Sequence, residues 1–168
     1  MKNIALIGFM GTGKTVVGQA LSSSINRPFV DTDLLIQKRA GKTIRQIFDS
    51  DGEQRFRDLE SEVIEEVSGL DGYVISHGGG AVLRPENRWN IRKNSIVILL
   101  RASATTVFSR VSRSGERPLL TDRDRFDKIC SLLRAREELY YKTMDLVIDT
   151  DSMTVLEVVE AIRRRLSL

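Results

Sequence analysis

The stretch Gly8-Phe9-Met10-Gly11-Thr12-Gly13-Lys14-Thr15 obeys the spacing G-x-x-x-x-G-K-[ST], and its flanks constrain the fold around it. Upstream, Asn3-Ile4-Ala5-Leu6-Ile7 is a short apolar run of the kind that forms a buried strand. Downstream, Val16, Val17, Ala20, Leu21 and Ile25 recur at helical spacing. Strand, glycine turn and helix in this order read as a phosphate-binding loop. The glycines let successive backbone N–H groups curl around an anion, and the helix start adds partial positive charge. Gly11, Thr12, Gly13, Lys14, Thr15 and Val16 would line the phosphates, with Lys14 reaching the β/γ-phosphates and the Thr15 hydroxyl ligating Mg²⁺. The motif predicts a site for a nucleoside triphosphate.

The rest of the chain repeats the alternation that this start demands. Strand candidates fall at residues 3–8, 28–32, 73–77, 95–101 and 146–150, with helical segments between them. Runs such as Ile96-Val97-Ile98-Leu99-Leu100 are apolar throughout, as strands buried on both faces of a parallel sheet must be. Phe56, Leu59, Val63 and Val67 form one apolar helical stripe within 55–67; Val155, Val158, Val159, Ile162 and Leu166 form another within 155–166. These patterns predict a three-layer α/β/α architecture in one domain, 1–168. Ser112 to Arg125 breaks the pattern, being highly charged and carrying both Gly115 and Pro118. A loop of this length in a small domain predicts a mobile lid over phosphates.

Composition narrows the partners. Net charge is +3 and the basic residues are scattered among acids, which predicts no nucleic-acid partner. Arg outnumbers Lys, suiting a protein that grips phosphates and carboxylates through bidentate forks. Arg163-Arg164-Arg165 ends an amphipathic helix, where cations complement the helix dipole. The lone Cys130, in an apolar helical stretch, predicts a small core residue and no disulfide framework. No apolar run approaches a membrane span, and the N-terminus enters the first strand directly; together these predict a cytoplasmic protein with no membrane partner.

Other residues carry candidate chemistry. Strand alternation would place Asp31 and Asp33 on one face near the phosphate loop, where one acid holds Mg²⁺ and the other accepts a hydroxyl proton. An acidic turn or helix cap is the competing reading, and Asp33-Leu34-Leu35-Ile36 resembles a helix start that Asp33 would cap. Gly78-Gly79-Gly80 ends the third strand, where bare backbone serves a ligand or a tight turn. His77, the single histidine, reads as a packed structural residue before that turn. Arg57, with Glu60 one turn on to orient it, is a candidate, as are Arg117 and Arg136. Spacing alone does not bring the three arginines together.

End to end, the chain resembles the shikimate kinases. The resemblance rests on the phosphate loop, Phe29-Val30-Asp31-Thr32-Asp33, Gly52-Glu53 with Phe56-Arg57 and Glu60, Gly78-Gly79-Gly80, Arg117-Pro118-Leu119-Leu120, and Arg136 with Leu139-Tyr140. It implies a nucleoside monophosphate kinase-like P-loop fold with a five-stranded parallel sheet in the order 2-3-1-4-5 and a mobile lid near 112–125. It implies transfer of the ATP γ-phosphate to the 3-hydroxyl of shikimate, with Mg²⁺ as cofactor. Arg57 and Arg136 would clamp the shikimate carboxylate, and Asp33 with the backbone of Gly78, Gly79 and Gly80 would hold the ring hydroxyls. Lys14, Asp33 and Arg117 would be catalytic, Arg110 would lie near the adenine, and Thr15 and Asp31 would serve the metal. The expected state is a monomer. A gluconate kinase or a catalytically silent nucleotide-binding domain is the alternative. His77 departs from the small or hydroxyl residue expected there, and Val155 from an expected proline.

Overall fold

The strand-and-helix alternation closes into a single parallel sheet between two helical layers. The computed structural model describes residues 1–113 and 122–168. The strands are β1 (Asn3–Ile7), β2 (Phe29–Asp31), β3 (Val74–Ser76), β4 (Ser95–Arg101) and β5 (Leu146–Asp149). The helices are α1 (Lys14–Ser24), α2 (Thr32–Ala40), α3 (Ile44–Ser68), α4 (Pro85–Lys93), α5 (Ala104–Arg113), α6 (Asp122–Thr143) and α7 (Val155–Leu166). All strand pairs are parallel, in the order β2-β3-β1-β4-β5, as the resemblance implied.

Side-chain alternation explains why the strands read as unbroken apolar runs. Ile4 and Leu6 of β1, with Ile98 and Leu100 of β4, pack beneath α1 and α7 on Val17, Leu21, Val158 and Ile162. Ala5, Ile7, Val97 and Leu99 face the opposite layer, meeting Ile64, Ile91 and Tyr140 of α3, α4 and α6. Neither face meets solvent, so no polar residue interrupts the run. The predicted stripe of α3 is buried at Phe56, Leu59, Val63 and Val67, in a cluster with Ile36, Ile47 and Ile75. Gly52 breaks α3 with φ 84° and ψ 166°, so the stripe begins on a fresh helical run.

Some boundaries differ from the expectation. β2, β3 and β5 are shorter than predicted: Thr32 opens α2, and Pro28, Tyr73, His77 and Thr150 flank the strands while still bonding to neighbouring strands. α5 extends to Arg113 and α6 begins at Asp122, so helix occupies both ends of the predicted 112–125 loop; its centre lies outside the described residues. Cys130 is half-buried on α6 rather than a core residue.

This topology positions the site. The order β2-β3-β1 sets the carboxyl end of β3 between those of β2 and β1. Ser76 pairs with Asp31 on one side and Leu6 on the other. The next residues of the three strands therefore converge: Thr32-Asp33, His77 with the glycine turn, and the phosphate loop. Ligands of open α/β sheets bind beyond the carboxyl ends of the strands.

Candidate active site

The phosphate loop is held from within by one carbonyl. The Phe9 oxygen accepts from Thr12 Oγ1 at 2.8 Å and from Lys14 Nζ at 2.9 Å. Gly13 then caps α1 with φ 94°, a left-handed conformation that costs glycine nothing and other residues strain. Lys14 is thus the first residue of α1 and is nearly buried. Burial lowers its pKa from 10.5 to about 8, against the opposing pull of Asp33 and Asp31. The Thr12 hydroxyl turns inward and its backbone N–H also donates to the Phe9 carbonyl at 3.4 Å, while the Val16 side chain faces solvent.

The two aspartates divide their work differently from the alternation argument. Asp31 is the last residue of β2 and the N-cap of α2: its Oδ1 accepts from the backbone N–H of Asp33 at 3.0 Å and of Leu34 at 3.3 Å. Its other oxygen, Oδ2, accepts from Thr15 Oγ1 at 2.8 Å. Asp33 is therefore not the cap. It lies in the first turn of α2, so its approach to Lys14 comes from helix geometry rather than from strand pleating. Among the described residues no hydrogen bond reaches the Asp33 carboxylate. Burial first, then the Asp31 charge, raises its pKa from 3.8 to about 6, with Lys14 opposing.

Gly78 and Gly80 make room for the protein's own side chains, and Gly79 for the phosphate-loop backbone. A Cβ on Gly78 would lie 2.5 Å from Asp33 Oδ1 and 3.2 Å from Glu60 Oε1. One on Gly79 would lie 3.2 Å from the Met10 backbone nitrogen, so the turn packs against the phosphate loop. One on Gly80 would overlap Arg57 Nη1 and come within 2.8 Å of Arg57 Cζ and Nη2. Carboxylate, phosphate loop and guanidinium thus abut three consecutive residues.

Arg57 and Arg136, separate in sequence, meet at this turn. Arg57 Nη1 donates to Glu60 Oε2 at 2.7 Å, and its Nη2 donates to Glu53 at 3.3 Å. Arg136 Nη1 donates to the Gly79 carbonyl at 3.2 Å, and its guanidinium stacks over the Phe9 ring, 5.6 Å from the centroid. Glu60 is almost fully buried, and burial raises its pKa while Arg57 and Arg136 pull it back. Both guanidiniums therefore lie in the field of one buried carboxylate, Glu60, with the exposed Glu53 also on Arg57.

Arg110 of α5 binds the Gly11 carbonyl at 3.3 Å and Thr150 at Oγ1 and O (3.1 and 2.7 Å), joining the phosphate loop to the turn after β5. That is where the resemblance put the adenine; Val155 is partly exposed at the start of α7 beyond it. Arg117 lies outside the described residues. His77 is buried as expected, and burial followed by the Lys14 charge lowers its pKa from 6.5 to about 3, so the ring is neutral.

Two contributors, Tyr140 and Glu53, carry the resemblance but take no role in the site from the sequence. Tyr140 donates its hydroxyl to the Gly79 carbonyl at 2.6 Å, sharing that oxygen with Arg136, and burial pushes its pKa to about 12. Its place four residues after Arg136, on the same helical face, is the signal that could have found it. Glu53 holds Arg57 from the preceding turn at i−4, visible only once Gly52 is known to end the earlier helix.

A phosphate loop, an unpaired carboxylate across a glycine turn and two converging guanidiniums define a P-loop small-molecule kinase. The shikimate kinase family profile matches residues 10–167. Shikimate kinase of Caldanaerobacter subterraneus subsp. tengcongensis is 42% identical over 98% of this chain and 95% of its own length. That of Thermodesulfovibrio yellowstonii is 44% identical over 96% and 93%. The structure of Acinetobacter baumannii shikimate kinase in complex with shikimate superposes with a TM-score of 0.92 at 33% identity, covering 99% of this chain and 94% of that one. The chain belongs to the shikimate kinase family.

Proposed function

We propose that this chain transfers the γ-phosphoryl group of ATP to the 3-hydroxyl of shikimate, giving shikimate 3-phosphate and ADP. The observation that carries the reading is the convergence of Arg57 and Arg136 on one glycine turn that also abuts the Asp33 carboxylate. Two planar donors facing one opening suit a carboxylate, which each fork binds through paired N–H groups. The cyclic polyol beyond that carboxylate would present its hydroxyls to Asp33 and to the backbone of Gly78, Gly79 and Gly80. Asp33 accepts the 3-hydroxyl proton as oxygen attacks phosphorus, a role that suits a carboxylate with no hydrogen-bond partner among the described residues and a pKa of about 6.

The phosphate side is positioning and charge neutralisation. Lys14 leaves the Phe9 carbonyl for the β/γ-phosphates, while Gly11, Thr12, Gly13, Thr15 and Val16 contribute backbone N–H groups from the loop and first turn. Arg110 supports the adenine, and Arg117 completes the charge balance from the lid segment, 112–125. Thr15 and Asp31, joined at 2.8 Å, offer the hydroxyl and carboxylate oxygens that suit Mg²⁺, an ion that keeps water and phosphate as its other ligands. When bound, Mg²⁺ neutralises charge on the phosphates. The reading treats 1–168 as one kinase unit, a cytoplasmic monomer, resting on the lone cysteine and mixed surface charge.

The test is ADP release from purified protein and Mg-ATP, with shikimate, gluconate or a nucleoside monophosphate as acceptor. Release dependent on shikimate supports the reading. Faster turnover of gluconate would make the chain a different small-molecule kinase. ATP binding without transfer to any acceptor would make it a silent nucleotide-binding domain.

A further inference from the structure

His77 stands at the centre of the site, and nothing above uses it. Its backbone N–H donates to the Leu6 carbonyl at 3.0 Å, continuing the β3–β1 ladder to the edge of the phosphate loop. Gly78, its neighbour, donates to Thr32 Oγ1 at 3.2 Å, so His77 is pinned between β1 and the end of β2. The residue is 2% exposed, and its Nδ1 is buried with no hydrogen-bond partner among the described residues. A buried ring nitrogen left unpaired is costly, and such an atom beside a reacting site calls for an explanation.

Lys14 has the complementary deficit. An ammonium carries three donors, and the Phe9 carbonyl takes one of them in this structure. The turn that follows His77 packs on the same carbonyl group: a Cβ on Gly79 would lie 3.6 Å from the Phe9 carbonyl carbon, whose oxygen holds Lys14 Nζ at 2.9 Å, and the Lys14 charge reaches His77. The neutral imidazole repels no cation, and with the proton on Nε2 its Nδ1 is an acceptor. When Nζ moves from Phe9 toward nucleotide phosphates, it gives up that carbonyl, and a donor not taken by phosphate oxygens is free for another acceptor.

We propose that His77 is a positioning residue for Lys14, its Nδ1 accepting a hydrogen bond from the Lys14 ammonium when Nζ engages the nucleotide phosphates. The inference rests on the kinase reading above. It assigns to the single histidine of the chain a part in holding the cation that neutralises the transferring phosphoryl group.

Because His77 is the only histidine, its ring nitrogens can be followed without ambiguity in ¹⁵N-labelled protein. Addition of Mg²⁺ with the β,γ-imido analogue of ATP, without shikimate, should move the Nδ1 resonance toward the position of a hydrogen-bonded acceptor. An unchanged Nδ1 resonance in nucleotide-saturated protein, or an Nδ1 that carries the proton, overturns the proposal. In turnover, His77→Leu keeps apolar bulk without an acceptor and should lower kcat about tenfold, the weight of one charge-assisted hydrogen bond, with the shikimate KM unchanged. His77→Asn restores an oxygen near the Nδ1 position and should recover most of the loss. Equal impairment of both variants would mean packing alone, and wild-type kcat in His77→Leu would mean no role. The resonance test uses unmodified protein, so it decides even where His77→Leu does not fold. If instead unmodified protein shows the Nδ1 shift but no shikimate-dependent ADP release, the acceptor reading fails while the Lys14–His77 contact stands.

Discussion

Replacing Gly80 by alanine puts a methyl group in place of a hydrogen where Arg57 now lies. The new Cβ would overlap Nη1 and sit 2.8 Å from Cζ and Nη2, whereas carbon contacts are comfortable at about 3.5–4.0 Å. Gly80 is not among the glycines with positive φ, so alanine brings no backbone strain and the side chain must yield. The guanidinium must retreat by roughly 1 Å or more on this contact distance. It cannot do so and keep both the 2.7 Å bond to Glu60 and the 3.3 Å contact with Glu53. A fork moved that far loses its paired hydrogen bonds to a carboxylate, worth about 1.5–3 kcal/mol for bonds to charged groups. The shikimate KM should therefore rise about 10- to 150-fold at the usual conversion of free energy to binding constant. The ATP KM should stay within about twofold, since the nucleotide side of the turn is Gly79. A coupled ADP assay, titrating each substrate against saturating amounts of the other, reads both numbers. An unchanged shikimate KM, or an equal rise for ATP, would show that Arg57 does not hold the acceptor. Thermal unfolding should move little if the exposed Glu53 contact is the one given up, and fall if the buried Glu60 bond is lost.

Asp33→Asn removes the proton acceptor while keeping shape, and kcat should fall by at least about 10²-fold; near-normal kcat in the steady-state assay would leave Asp33 a positioning role only. Arg136→Ala should weaken shikimate binding while leaving nucleotide affinity nearly intact, as calorimetric titration of each ligand would show; an equal loss of ATP affinity refutes the division of the site. The pH profile of kcat/KM should be bell-shaped. Below about 6 Asp33 becomes protonated and cannot act as base, and above about 8 Lys14 loses the charge that captures phosphate; flat activity across either limb contradicts these assignments. Stability should fall in acid through His77. The folded ring resists protonation down to about 3 while the unfolded chain takes a proton near 6.5, so the unfolded state binds more protons between those values. The cost is about 1.4 kcal/mol per pH unit below 6.5, and urea midpoints at pH 7.5 and 5.5 should show a smaller acid loss in His77→Asn than in the unmodified protein.

Much of the fold was legible because it is written in short-range patterns. The apolar run before Gly8 and the helical spacing after it identify β1 and α1, and the stripe Phe56, Leu59, Val63 and Val67 is buried as its period demanded. The acidic pair shows where local reading misleads. Alternation assumes that β2 continues through Asp33, yet Asp31 ends the strand because its carboxylate caps the next helix. Either aspartate fits a cap by composition; the choice is made by backbone hydrogen bonds that form only when the turn does. The glycine turn was read as bare backbone for a ligand or a tight turn, and its neighbours prove to be Asp33, Glu60 and Arg57.

The sequence by itself determined the phosphate loop, the layered α/β plan and the residues with chemistry to offer. Each depends on neighbours within about one helical turn or one strand, whose steric and hydrophobic preferences are carried by the local period. Tertiary structure decided which of those residues meet. Arg57 on α3 and Arg136 on α6 reach adjacent residues of one turn because the order β2-β3-β1 places that turn between Asp33 and Lys14. That order is a property of the packed sheet, set by burying both faces at once, and no local period contains it.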